Sequence, residues 1–325
     1  MKLAIGFFDG VHLGHRRILA GADAALTFRE HPLSVLAPDK APPLLMTADE
    51  RLAAIAAALK DAPATFPPRV SALSFTRELA AEPADAFATR LRHDYPDLET
   101  ILCGPNWRFG AGGAGDADFL RARGFAVEVV PLEERDGAPV SSTRIRAALQ
   151  AGDLSLANAM LGRPFAVVGE VVPGKGEGRK LGFPTINVRP ANPCLARLLP
   201  LGAYVADTDW GRAVANWGQA PTMGEQAWTS PVLEVHVVGR GEGGKVGRGE
   251  GGKVGRGEGE KVGRGEGEKV GRGEGGKVGR GEGEKVEISL RRFLRPERRF
   301  ASIEELRKQI ATDVFSASHS PQDRL

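Results

Sequence analysis

The sequence predicts two units in series: an α/β unit built on a Rossmann-like parallel sheet, then a small antiparallel β-barrel carrying a C-terminal helix. Three observations predict this. Up to about residue 160, short apolar strand signals alternate with helix signals, the pattern of a parallel sheet covered by helices. After Arg163 the texture changes to β-branched runs separated by Gly and Pro: AVVGEVV, TINV, AYVADT, RAVANWG, VLEVHVV and VEISLRRF. Several short strands so closely spaced suit a small barrel. A chain of 325 residues also exceeds a comfortable single domain. The expected division is therefore 1–160 and 161–325.

The elements follow in order. Leu3 to Phe8 is a short apolar strand leading into a glycine-rich turn. Thr47-Ala48-Asp49-Glu50 is a capping box opening an Ala-rich helix to about Lys60, and Pro83 suits the first turn of another to about His93. TILC (100–103) and FAVEVV (125–130) are strands. Ser142 can cap a helix through Leu149, and Asp153 another ending at Gly162. After the barrel strands, Ser302-Ile303-Glu304-Glu305 is a second capping box, with Ile303, Leu306 and Ile310 on one apolar face able to lie against the barrel.

Composition narrows the function class. A hydrophobic share of 42% and a charged share of 26% are those of an ordinary soluble protein. No apolar run approaches the ~20 residues of a membrane helix, and no basic stretch precedes an apolar core, so neither spanning nor secretion is expected. Cys103 and Cys194 lack metal-ligand spacing and read as reduced core residues of a cytoplasmic protein. The net charge of +3 resides in six copies of V-G-R-G-E-G-(G/E)-K between Val238 and Lys285, which also hold 21 of the 43 glycines. Gly-rich, aromatic-free and of mixed charge, this array is expected to be a disordered loop interrupting the barrel. Lengthening a connection from 8 to 48 residues adds only ~1.5 kcal/mol of closure entropy. Its G-R-G units raise an RNA-interacting reading, against which interleaved Glu and absent aromatics argue.

Residues 6 to 15, GFFDGVHLGH, carry the chemistry: Gly6, Asp9 and Gly10, then His12 and His15 as H-x-G-H. A glycine-rich strand-to-helix turn presents backbone N–H groups to phosphate, and two imidazoles can donate to the same phosphate. The plain alternative is a capping His12 and a core His15. Ten residues so dense in turn, charge and imidazole favour a site for nucleotide transfer.

GFFDGVHLGH resembles the nucleotidyltransferase signature, in particular the adenylyltransferase half of the bacterial bifunctional riboflavin kinase/FAD synthetase family. TFREHP (27–32), CGPNWRFG (103–110) and SSTRIRAAL (141–149) resemble that half's further motifs in order. LGRPF (161–165), GKGEGRKLGFPTIN (174–187), ANWGQAPT (215–222), LEVH (233–236) and FLRPERRF (293–300) resemble the riboflavin kinase domain. The array stands where the family has a short hairpin. The resemblance implies ATP-dependent phosphorylation of riboflavin to FMN and adenylylation of FMN to FAD, with Mg²⁺ accompanying ATP. Small-molecule partners follow, namely riboflavin, FMN and ATP; oligomeric state is left open.

In the first unit His12, His15 and Arg146 are the expected catalytic groups. Gly6, Asp9, Gly10, Asn106, Arg108, Ser142, Thr143 and Arg144 are the expected nucleotide-binding ones, since a helix start rich in hydroxyls and guanidinium forks suits pyrophosphate. In the second, Gly174, Gly176, Gly178 and Gly182 would let backbone approach a nucleotide, with Pro184 in the same motif. Thr185 and Asn187 offer hard oxygens for Mg²⁺. Glu234, opposite in face to Leu233 and Val235, is assigned by the LEVH similarity as the base for the riboflavin 5′-hydroxyl. Only Arg16 to Leu26 separate His15 from TFREHP, shorter than the family pattern, and Gly113 stands where the family often has arginine. These departures define one alternative, a riboflavin kinase whose first unit is degenerate. A non-enzymatic flavin-binding or RNA-interacting protein is the other.

Overall fold

The computed structural model describes residues 1–60, 69–174, 176–218, 231–239 and 282–319. Its first half holds five parallel strands, β1 (Lys2–Ile5), β2 (Ala24–Phe28), β3 (Arg69–Leu73), β4 (Thr100–Cys103) and β5 (Ala126–Val129), ordered β3-β2-β1-β4-β5. The two-residue period of a strand sorts the side chains into two layers. Leu3, Ile5, Leu26 and Ile101 pack with Phe87, Leu91 and Leu120, whereas Ala4, Ala25 and Leu102 pack with Leu19, Ile55 and Leu59. Strand order reverses between β1 and β4, which opens a crevice beyond their carboxyl ends. The turns at 6–12 and 104–107 stand there. β1 stops short of Phe8, whose φ of +57° takes the chain out of extended geometry. The short run after His15 still fits a helix, Leu13–Leu19, and a β2 that pairs in parallel with β1.

Local capping explains the helix starts. Thr47 Oγ1 accepts from Glu50 N at 3.3 Å while Glu50 Oε2 accepts from Thr47 N at 2.6 Å, opening Ala48–Lys60. Pro83 is the N-cap of Ala84–Asp94 rather than part of its first turn. The helix Ser142–Gln150 is capped by Ser141, not Ser142: Ser141 Oγ accepts from Arg144 N, leaving the Ser142 hydroxyl free to donate to the Asp9 carbonyl at 2.8 Å. Asp153 caps Leu154–Leu161, which ends at left-handed Gly162. A two-stranded hairpin, β6 (Glu134–Arg135) with β7 (Ala138–Pro139), precedes these helices.

The second half is a closed antiparallel barrel of β8 (Phe165–Val172), β9 (Ile186–Pro190), β10 (Gly202–Thr208), β11 (Gly211–Gly218), β12 (Val232–Val237) and β13 (Lys285–Pro296), ordered β10-β11-β12-β9-β8-β13. Tyr204, Trp217, Leu233, Val235, Ile288 and Leu290 fill its interior. β12 and β13, the strands on either side of the repeats, are not neighbours in the barrel. The array's expected disorder falls, apart from its two ends, outside the described residues. At the second of those ends Gly283 N donates to Val171 O and Val171 N to Glu284 O, both at 2.9 Å, so the last repeat copy prolongs the β8–β13 ladder.

The C-terminal helix Ile303–Ser318 is capped by Ser302, and Glu305 reaches back to Ala301 N at 3.0 Å. Its inward face includes Leu306, Ile310, Asp313, Val314 and Ala317, the last two packing with Val205 and Val214 of the barrel. Ile303, expected on that face, is 73% exposed, and its neighbours Ser302, Glu304 and Glu305 in the first turn are exposed with it. Arg295 on β13 ties the helix down through the buried carboxylate of Asp313, Nη2 to Oδ2 2.7 Å.

Candidate active sites

The crevice at β1 and β4 forms a cleft of about 310 Å³ lined by Gly6, His12, His15, Asn106, Ser142 and Thr143, with Gly14, Trp107 and Ser141 beside them. His12 caps the helix Leu13–Leu19, its Nδ1 accepting from His15 N at 3.3 Å. With Nδ1 an acceptor, the neutral ring carries its proton on Nε2. The two imidazoles stack at 3.6 Å, and Phe8 packs edge-on to His15. Burial, then the cations of Arg163 and Arg146, lower His12 to about 4. Burial and His12 hold His15 well below the usual histidine range. Two neutral rings therefore face the cleft, and His15 Nδ1 is buried without a hydrogen-bond partner.

The other residues expected here have different surroundings. Asp9 is 4% exposed and lies behind the turn, accepting from Leu45 N at 3.0 Å and from Arg146 Nη1 at 3.0 Å. Burial raises its carboxyl above the ordinary range against the pull of Leu45 N–H, Arg146 and Arg51. Arg146 is thus committed to Asp9, and its Nη2 reaches Thr143 Oγ1 at 3.3 Å. Gly10 has φ +83°, and a Cβ there would fall 2.7 Å from Leu45 Cδ1. Arg144 turns away to the carbonyls of Ala138 and Pro139. Arg108 sits on Trp107 O and faces Asp116 at 3.7 Å.

A larger cavity, about 660 Å³, lies between one flank of the barrel and the C-terminal helix. Asn187, Glu234 and Asn216 sit side by side across β9, β12 and β11 and all line it, with Thr185 two residues before Asn187. Leu233 and Val235 point instead to the barrel core. The loop from Val172 folds over these polar groups, and Gly174, Gly176 and Gly178 line the cavity. The approach is close: a Cβ on Gly174 would overlap Asn187 Nδ2 at 1.7 Å, and one on Gly178 would meet Phe183 O at 2.5 Å. Gly182, at φ +86°, and Pro184 lie outside the lining; the Pro184 carbonyl accepts from His236 Nδ1 at 2.9 Å. Burial, then the neighbouring Glu297, raise the Glu234 carboxyl above its ordinary range. Phe300, Leu306 and Ile310 give the opposite wall an apolar character.

Comparison with known proteins assigns each unit. A family model described as FAD synthetase matches residues 1–144, and one described as riboflavin kinase matches 161–248 and 278–320. The bifunctional riboflavin kinase/FMN adenylyltransferase of Escherichia coli (strain K12) is 31% identical over 335 residues, covering 97% of this chain and 91% of that one. The chain belongs to this family. The proteins of the same name from Pseudomonas fluorescens and Bacillus subtilis (strain 168) are 34% and 30% identical, each covering 72% of this chain and 77% of theirs. The fold also matches a crystal structure described as a macrolide-efflux protein from Streptococcus pneumoniae, TM-score 0.70 at 23% identity, covering 98% of this chain and 94% of that one.

Both family domains use ATP, and such enzymes generally need a divalent metal. The kinase cavity fits one. Among the described residues no group of three His, Cys, Asp or Glu could hold an ion alone. Thr185 and Asn187 line the cavity and carry side-chain oxygens, and Mg²⁺ is commonly held by a few protein oxygens plus substrate phosphates. Sequence reasoning passed over His236, Asn216, Glu297, Arg298 and Phe300 in this cavity. The last three lie in FLRPERRF, whose resemblance to the kinase was their signal. Ser141 and Trp107 were missed in the first cleft.

Proposed function

We propose that this riboflavin kinase/FMN adenylyltransferase homologue makes FMN in its barrel unit, 161–325, and converts FMN to FAD in its N-terminal unit, 1–160, drawing on Mg²⁺-ATP twice. The observation that carries this is the presence of two separate cavities with different donor sets, imidazole with helix-start hydroxyls in one and a carboxylate beside a glycine loop in the other.

In the barrel, Glu234 takes the proton of the riboflavin 5′-hydroxyl as its oxygen bonds to the γ-phosphorus and the bond to the β,γ-bridging oxygen breaks. A raised carboxyl affinity suits a base. Phe300, Leu306 and Ile310 offer apolar surface to the flavin ring, and Gly174, Gly176 and Gly178 let backbone close over phosphates. Bound at Thr185 and Asn187, Mg²⁺ would neutralise charge building on the transferring group.

In the N-terminal cleft, an FMN phosphate oxygen attacks the α-phosphorus of ATP and pyrophosphate leaves. The protein's part is positioning and electrostatics. His12 Nε2–H and His15 donate to the phosphoryl oxygens without adding fixed charge, while the Thr143 hydroxyl and the free N–H groups at that helix start receive pyrophosphate, the Ser142 hydroxyl being spent on the Asp9 carbonyl. Arg146 acts by holding Asp9 and Thr143.

Incubating the protein with riboflavin, ATP and Mg²⁺ and separating the flavins tests the proposal. FAD is expected; FMN alone would leave a kinase with a degenerate first unit, and unchanged riboflavin would leave a non-enzyme. Among the described residues no helix is long and apolar enough to cross a membrane.

A further inference from the structure

The kinase unit begins by gripping the adenylyltransferase turn. Phe8, Gly10 and Val11 all have positive φ, +57°, +83° and +40°. For a β-branched residue this is a strained geometry that persists only where surroundings impose it. Some of those surroundings come from the other unit. Arg163, in the LGRPF segment that opens the barrel, donates from Nη2 to Gly10 O at 2.8 Å and from Nη1 to Val11 O at 3.2 Å. Its Nη1 also reaches Leu161 O at 3.3 Å, fixing the fork to its own helix end. Next to it, Gly162 lets Leu13 pack so closely that a Cβ would fall 2.6 Å from Leu13 Cδ2. The linker thus holds the residues on both sides of His12.

We propose that Arg163 is a positioning residue for adenylyl transfer, its guanidinium fork fixing the strained Gly10–Val11 backbone so that His12 and the helix it caps face the cleft. It does not line the cleft and belongs to the kinase half, so FAD formation depends on the start of the kinase unit being docked while phosphorylation does not depend on the turn. This rests on the reading of the N-terminal cleft given above. Misplacing a catalytic group by about 1 Å can cost on the order of 10²-fold in rate. A lysine, with one compact ammonium, cannot reproduce a fork that meets two carbonyls.

The experiment uses the full chain. Arg163→Ala should lower kcat for FMN to FAD by ~10–100-fold, with KM for FMN and ATP within ~3-fold. Riboflavin phosphorylation in the same preparation should stay within ~2-fold, which separates misplacement from misfolding because the barrel starts two residues later. Arg163→Lys should recover part of the loss. Hydrogen exchange of the peptide 6–15 should rise in Arg163→Ala. FAD formation within ~3-fold of the parent, or an equal fall in both activities, would overturn the proposal. Should the parent chain form no FAD, the functional reading fails by itself, and unchanged exchange at 6–15 would then overturn this one separately.

Discussion

Asp9 and Arg146, 137 residues apart in sequence, meet in an ion pair at 3.0 Å whose side chains are 4% and 13% exposed. It binds the glycine-rich turn to the Ser142–Gln150 helix. Removing one partner of a buried pair leaves the other charge uncompensated, which costs about 3–5 kcal/mol. Arg146→Ala should therefore lower the denaturant midpoint by that equivalent and reduce FAD formation. An unchanged midpoint would show that the pair is not structural.

The histidine pair gives the protein an acid sensitivity of defined sign. His12 binds a proton near 6.5 when unfolded but only at about 4 when folded. Its contribution is full above 6.5 and is lost as pH falls toward 4, because the unfolded chain takes up the proton first. That window corresponds to about 3 kcal/mol. Denaturation at pH 7 and pH 5 should show lower stability at pH 5, and His12→Gln should shrink the difference. A variant with the parent's pH dependence would contradict the assignment.

Glu234→Gln keeps shape while abolishing the base. Riboflavin phosphorylation should fall by ~10²–10⁴-fold, with conversion of supplied FMN to FAD untouched. Because burial and Glu297 raise its carboxyl, the acid limb of the parent's kinase kcat should lie above the ordinary glutamate range. Full kinase activity in the variant would remove Glu234 from the mechanism.

Much of this was legible locally. Thr47 with Glu50, Asp153 and Ser302 are signals contained in one helical turn, and each opens a helix where expected. The six barrel runs were legible because each alternates or is β-branched. What the sequence could not show are relations between distant residues. Nothing local says that Arg146 serves Asp9, that Arg144 turns to the β6–β7 hairpin, or that β12 and β13 are apart. Ser141 and Ser142 are identical neighbours, and only the fold decides which caps. Ile303 keeps the helical spacing of Leu306 and Ile310 but stands exposed, outside the cavity that they line.

The repeat array can be shortened. Removing residues 238–277 leaves one copy, including the Gly283 and Glu284 backbone bonds to Val171. Such a change alters closure entropy by only ~1.5 kcal/mol. Kinase turnover should stay within ~2-fold, measured as FMN formed from riboflavin; a large loss would place the array in the site.

One chain is expected to hold two chemically independent sites. The direct measurement is a time course of flavins from riboflavin, ATP and Mg²⁺ for the parent and for His15→Ala. The parent should pass through FMN to FAD. His15→Ala should form FMN at the parent's rate and slow FAD formation by ~10²–10³-fold, the usual loss of one preorganised donor. FAD formed at the parent's rate by His15→Ala, or FMN and FAD formation falling together, would contradict the account.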